Sequence, residues 1–294
     1  MRQELIKKAQ NIITQRRLDA ENEYRKAMTP LYNDKEYVSL EKEQTKLMIE
    51  NARKESLGQK PDTKTAKEIE TKINAVKAKH NLQNVEKRYS CPLCKDTGYQ
   101  NGQMCKCLKQ EISLIALKDS GFENLESFDK CTKTSGNEKV YDLMKQWCNK
   151  DSTKNLIYIA GPTGVGKTVL IRCMANELIS NGKVIRLTTA FKMNQDFKEF
   201  QKTRNEDLLN KYLTPEYLFV DDLGTEPKYK DVTLEFLYLI INERKMKNLS
   251  TIITSNLDLK DLIDRYEERI ASRIIDKKSS ITILLEGDDK RLKK

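Results

Sequence analysis

No apolar run in these 294 residues approaches the roughly 20 that would cross a bilayer, and Met1 to Gln10 lacks the apolar centre of a secretory signal. Both absences argue against a membrane or exported protein and lead us to expect a cytoplasmic one. Aromatic residues are scarce, at 7%, so no cluster of rings marks a platform for stacking bases. There is a single histidine, His80, which leaves imidazole at most one place in any metal site. Dense basic blocks are missing too. The net charge of +10 is dispersed as +6 over residues 1 to 90, −1 over 91 to 130 and +5 over 131 to 294. Such a surplus favours acidic partners such as nucleic acid through counterion release, and it also serves solubility.

What is present points to more than one unit. The length exceeds the usual single domain, and 38% apolar against 33% charged residues suggests extended helix with wet faces. Residues 1 to 88 carry almost no strand signal and two breaking points, Pro30 and the stretch from Gly58 to Pro61, which predicts about three helices. In the third, Ala66, Ile69, Ile73, Val76 and His80 fall on one stripe. Leu5, Ala9, Ile12 and Ile13, then Leu40, Leu47 and Met48, give thinner stripes. They suit either a self-contained helical hairpin or an arm that docks on another protein. Residues 111 to 150 read as a helix and a linker holding Phe122, Leu125 and Phe128. From 151 to 294 short β-branched runs alternate with amphipathic helices, the pattern of a parallel α/β sheet. The expected strands are Leu156 to Ala160, Val184 to Thr189, Tyr217 to Asp221, Ser250 to Ser255 and Ser280 to Leu285.

The strongest motif is Gly161-Pro162-Thr163-Gly164-Val165-Gly166-Lys167-Thr168. It fits G-x-x-x-x-G-K-[ST], directly after an apolar strand and before an amphipathic helix. Glycines let successive backbone N–H groups and the helix amino terminus face phosphate oxygens. Lys167 then reaches the terminal phosphates of ATP, and the Thr168 hydroxyl ligates Mg²⁺. A later strand ends in Asp221-Asp222. Asp221 is placed to hold the magnesium's water shell and Asp222 to orient or deprotonate the attacking water. The strand Thr251 to Ser255 ends at Asn256, a polar tip suited to sensing the γ phosphate.

Seven cysteines in a reducing compartment read as thiols or metal ligands. Cys91-Pro92-Leu93-Cys94 and Cys105-Lys106-Cys107 flank a ten-residue loop, and four thiolates from two close pairs match tetrahedral zinc. Zinc would stabilise a unit, residues 89 to 110, that is too small to hold itself by core burial. His80 reads as a helix-packing residue, and Cys131, Cys148 and Cys173 as buried or incidental thiols.

Together, Gly161 to Thr168, Phe219 to Glu226, Ile241 to Arg244, Thr251 to Leu257 and Glu268 to Ile274 resemble the AAA+ ATPases. More narrowly they resemble the DnaC-like and DnaI-like helicase loaders of bacteria and phages, with the transposition ATPase IstB as a relative. The match covers roughly residues 120 to 294. The resemblance implies an AAA+ core with a parallel sheet ordered 5-1-4-3-2, and a protein that assembles with its own copies. It also implies that Arg273, or else Arg269 one turn earlier, serves as an arginine finger in a neighbour's site. Arg291, in the Gly287 to Arg291 pattern, would sense nucleotide. Two departures stand out. Asp222 replaces the more usual glutamate, which implies slow, switch-like hydrolysis, and only nine residues follow Leu285, which implies an abbreviated lid.

The leading expectation is an ATP-dependent replicative helicase loader. Its arm (1 to 88) and zinc unit (89 to 110) would grasp a hexameric helicase, and its ATPase domain (151 to 294) would engage ATP and single-stranded DNA. An IstB-like transposition accessory ATPase and a non-hydrolysing zinc-containing adaptor are the alternatives. The long arm and zinc unit weigh against the first, and intact Lys167, Asp221, Asp222 and Asn256 against the second.

Overall fold

The computed structural model of the chain describes residues 3–130, 137–150 and 154–287. The chain divides into two compact units, Ile13–Thr97 and Met1–Ile12 with Gly98–Lys294.

The first unit is helical. Helix α1 runs Gln3–Tyr32, α2 Lys35–Ser56 and α3 Thr63–Lys79. Pro30 does not end α1 at once; the helix carries it in its last turn, so the bond that its missing N–H forfeits, to the carbonyl four residues before, is lost only where the helix is about to stop. The break comes at Asp34, whose carboxylate accepts from the backbone N–H groups of Glu36 (2.8 Å) and Tyr37 (3.2 Å) and so caps α2. Asp62 caps α3 in the same way through Thr65. The Asn51 amide brackets that turn by accepting from Asp62 N–H and donating to Asp62 C=O. Met28, Leu31, Tyr37, Leu40, Ile69, Ile73 and Val76 form the core between these helices. Each fully buried aliphatic chain contributes about 1.5–3 kcal/mol. His80 lies just beyond α3 and pairs with Asp34, Nε2 to Oδ2 at 2.9 Å. It therefore ties the end of one helix to the cap of another instead of packing in the stripe.

The second unit is a three-layer α/β domain. A short hairpin, β1 Tyr99–Gln100 and β2 Gln103–Met104, turns at Asn101 and Gly102, both left-handed, as a two-residue hairpin turn demands. Then follow α4 Lys106–Lys118, α5 Glu138–Asn149, β3 Leu156–Ala160, α6 Lys167–Ser180, β4 Ile185–Thr189, α7 Ala190–Thr203, α8 Asp207–Leu213, β5 Tyr217–Leu223, α9 Thr233–Met246, β6 Ser250–Ser255, α10 Leu259–Ile274 and β7 Ser280–Leu284.

The five long strands are parallel in the order β4-β5-β6-β3-β7. Counting strands from β3, this is the expected 5-1-4-3-2 arrangement read from the opposite edge. Alternate residues of each strand enter opposite cores. Ile157, Ile159, Leu187, Phe219 and Ile252 pack with α5 and α6 residues, and also with Phe122 and Phe128. Tyr158, Leu218, Val220 and Ile253 pack with residues of α7, α9 and α10. Segment 111 to 150 is thus largely built into the domain. Helix α4 lies along the edge strand: the Ser113 hydroxyl accepts from Ile185 N–H (3.1 Å) and donates to Lys183 C=O (3.2 Å), and Arg186 donates to Ala116 C=O (3.0 Å). Among the described residues no helix is long and apolar enough to cross a membrane.

Candidate nucleotide site

Three strand ends meet at one point. After β3 the backbone turns through Gly161, Gly164 and Gly166, with φ of 154°, 82° and 102°. At Gly161 even a methyl group would lie 2.3 Å from the Leu285 carbonyl oxygen, so this close approach to the end of β7 requires glycine. Gly166 is the N-cap of α6. The loop between them is therefore a curled backbone running into a helix amino terminus, a ready anion site. Val165 is fully buried beneath it. Tyr141 of α5, also fully buried, donates its hydroxyl to Gly166 C=O at 3.3 Å.

Lys167 is 5% exposed. Its ammonium group donates to Gly161 C=O and Pro162 C=O, both at 2.7 Å, and to Asn256 Oδ1 at 2.6 Å. The structure thus brings together the lysine of the phosphate loop and the polar tip of β6. Thr168 donates to Asp221 Oδ2 at 3.0 Å, placing side by side the hydroxyl and carboxylate that a magnesium ion would share. Burial raises the pKa of Asp221, opposed chiefly by a hydrogen bond from Thr254. A buried carboxylate of this kind gains from a nearby cation, so the residues present fit the metal.

Asp222 follows in a left-handed conformation, φ 55°, where the β5–β6 register slips between Val220 and Leu223. This bulge bends the strand end and re-aims Asp222 out of the regular alternation of β5. The loop is then clamped. Ser255 donates to Leu223 C=O at 2.5 Å and accepts from Leu257 N–H at 3.0 Å, and a Cβ on Gly224 would lie 2.9 Å from Leu257 Cδ1. Glu226, 3% exposed, accepts from Gly224 N–H at 2.9 Å and from the Tyr266 hydroxyl.

Arg269 and Arg273 lie apart from this group. Both guanidinium groups sit 4.6 Å from the centre of the Tyr238 ring. Arg273 donates to the Tyr238 hydroxyl (2.9 Å) and to Asn242 Oδ1 (3.3 Å), and Arg269 pairs with Glu235. They follow Glu267, whose φ of 67° interrupts α10. Arg291 and Cys131 lie outside the described residues. Cys148 and Cys173 are buried, and burial raises the Cys148 thiol pKa.

The sulfurs of Cys91, Cys94, Cys105 and Cys107 lie within 4.8 Å of one another, compatible with tetrahedral metal–thiolate bonds of about 2.3 Å. Asp96, 1% exposed, supports the first pair by accepting from Ser90 N–H (2.7 Å) and Cys91 N–H (2.9 Å). Sequence reading missed the parts played by Thr254, Tyr141, Glu226 and Asp96. Thr254 and Glu226 lie inside quoted motifs, whereas Tyr141 and Asp96 carry no pattern that would single them out.

A family model described as an IstB-like ATP binding protein matches residues 104–294. The phage-like element PBSX protein XkdC of Bacillus subtilis is 29% identical over 235 residues, which are 68% of this chain and 84% of that one. The replicative helicase loader DnaC of Buchnera aphidicola is 30% identical over 146 residues, 47% of this chain and 58% of that one. A crystal structure of a DNA replication initiation factor superposes with a TM-score of 0.50 at 24% identity, over 56% of this chain and 51% of the other. That last likeness is one of fold.

Proposed function

The chain belongs to the family of IstB-like ATP-binding proteins, and on that premise we propose that it is an ATP-controlled loader of a replicative helicase. The observation that carries the reading is the convergence of Lys167, Thr168, Asp221 and Asn256 on one phosphate-binding loop. In this reading the loop amides and Lys167 hold the triphosphate. Thr168 and Asp221 hold magnesium, whose charge offsets that of the phosphates. Asp222 orients the attacking water and Asn256 senses the γ phosphate. Arg273 reaches the site of a neighbouring copy; its place on α10, without contacts to its own phosphate loop among the described residues, supports that role. Asp222 is shorter than glutamate by one methylene, which favours slow, switch-like turnover. Such a switch works because ATP and ADP stabilise different conformations.

Cys91, Cys94, Cys105 and Cys107 hold zinc, which fixes the short segment around them. The helical unit docks the helicase and the ATPase unit engages single-stranded DNA. Similarity to a relative named as a replicative helicase loader supports this, as does a helical unit with its own core. That unit leaves Met48, Ile49 and Leu57 exposed at 67%, 67% and 65%. Co-purification with a hexameric helicase tests the reading. Replacing these three residues with Asp is expected to abolish capture while nucleotide affinity persists; undiminished capture would remove the arm from the docking role.

An IstB-like transposition accessory ATPase is the second reading, favoured by the family model itself. Fluorescence anisotropy with matched oligonucleotides separates the two. Preference for duplex over single-stranded DNA would support the transposition role.

A further inference from the structure

We propose that Thr254 is a positioning residue of the ATP site, which fixes the Asp221 carboxylate and the Asp222 backbone through one hydroxyl group. The proposal rests on the reading of the site as a magnesium-dependent ATPase and adds a residue to it.

Thr254 is completely buried in β6. Its Oγ1 donates to Asp221 Oδ1 at 2.6 Å and accepts from Asp222 N–H at 2.9 Å. A hydroxyl has one hydrogen, and a carboxylate can only accept, so the direction of both bonds is determined. Thr254 engages Oδ1, and the Thr168 hydroxyl lies nearer to Oδ2, at 3.0 Å against 3.3 Å to Oδ1.

The backbone bond matters as much. From Tyr217 to Val220 residues of β5 pair in step with Ser250 to Ile253, and the pairing resumes only at Leu223 with Ser255. Asp221 and Asp222 occupy the slip, opposite Thr254. Asp222 is left-handed, a conformation that is costly for a residue other than glycine. Its N–H, leaving the regular ladder, needs an acceptor, and the Thr254 hydroxyl supplies it. The bulge that carries the two carboxylates is thus held by a side chain from the adjacent strand.

Valine has the shape of threonine and suits a buried strand equally well. Packing alone would accept it. The Thr254→Val variant therefore removes the hydroxyl with little change of volume, and Thr254→Ser restores the hydroxyl without the methyl group.

The test uses the full chain, with thermal melting to establish that each variant folds. Thr254→Ala replaces the valine variant if that one does not fold. A fluorescent ADP is titrated in excess EDTA and again across a magnesium series, and kcat and KM for ATP are measured separately. In EDTA, Thr254→Val is expected to bind ADP within about twofold of the parent, because the phosphate loop is untouched. The magnesium concentration for half-maximal tightening should rise by about tenfold or more, the scale of one lost hydrogen bond to a charged group. kcat should fall by a similar factor with KM nearly unchanged, and Thr254→Ser should recover most of both losses. An unaltered magnesium requirement in Thr254→Val would overturn the proposal, as would a serine variant as impaired as the valine one. A parent protein that binds no nucleotide at all would instead remove the ATPase reading on which it rests.

Discussion

The Lys167 ammonium group and the Asn256 side-chain oxygen share a hydrogen bond of 2.6 Å. The loop that follows β3 and the tip of β6 are therefore linked through the one cation that a phosphate would most need.

The two ends of that bond should have separable effects. Lys167→Ala is expected to weaken ATP binding by about 10–100-fold, the size of a lost charge-assisted contact to phosphate. Asn256→Ala should keep affinity within about threefold, since the phosphate cradle is intact, while slowing hydrolysis by about tenfold or more. Isothermal titration alongside phosphate release measures both. Equal losses of affinity in the two variants would show that Asn256 is simply part of the binding loop.

Arg244 should be essential for stability and dispensable for chemistry. It is fully buried and donates to the carbonyls of Tyr212, Pro215, Glu216 and Ser250 and to the Thr251 hydroxyl. Burial lowers its pKa to about 9. Arg244→Leu strands those acceptors without partners, and we expect a loss of about 3 kcal/mol or more in urea unfolding. A loss below about 1 kcal/mol would mean that water replaces the guanidinium there.

Acid should reveal Asp276. Its carboxylate accepts from Lys245 Nζ (2.8 Å), Lys278 N–H (3.0 Å) and the Ser279 hydroxyl (2.8 Å). These contacts, the lysine foremost, hold its pKa well below the ordinary carboxylate range. A lowered pKa adds stability that is fully present above the unfolded-state value of about 3.9 and is lost as pH falls through the folded-state value. Asp276→Asn should therefore lower the melting temperature at pH 7 and make progressively less difference as the pH drops below about 4. A gap that stays constant with pH would trace the effect to shape instead of charge.

The cysteine cluster offers a separate test. Mercurial titration is expected to release one zinc per chain, detected with a colorimetric chelator, and Cys94→Ser should purify with little or none. Nucleotide affinity should change by less than about twofold, since the phosphate loop, Gly161 to Thr168, contains none of the four cysteines. Full zinc content in Cys94→Ser would place the metal elsewhere.

The parts of this architecture that were legible in the sequence share one property: a local pattern fixes them. β3 and β6 run as expected because their apolar runs are bounded by turn residues, and Gly161 to Thr168 needed only its own spacing and flanks. Asp221 and Asn256 were legible from strand ends. Other features depend on partners far away in the chain. Pro30 reads as a breaker locally, yet the last turn of α1 tolerates it. His80 continues a helical stripe on paper but finds Asp34, 46 residues away. Thr254 resembles any β-branched strand residue until the bulge of β5 is set beside it, and Tyr141 reaches the Gly166 carbonyl across 25 residues.

Helix α4 covers the outer margin of β4, where the Ser113 hydroxyl receives the Ile185 N–H that a further strand would otherwise claim. On that side the sheet is finished. A second copy, or any partner offering an extended segment, meets α4 lying along this margin and the Ile185 amide already engaged. A partner arriving at this margin is therefore offered the side chains of α4 before any main chain, which disfavours polymerisation by strand addition there.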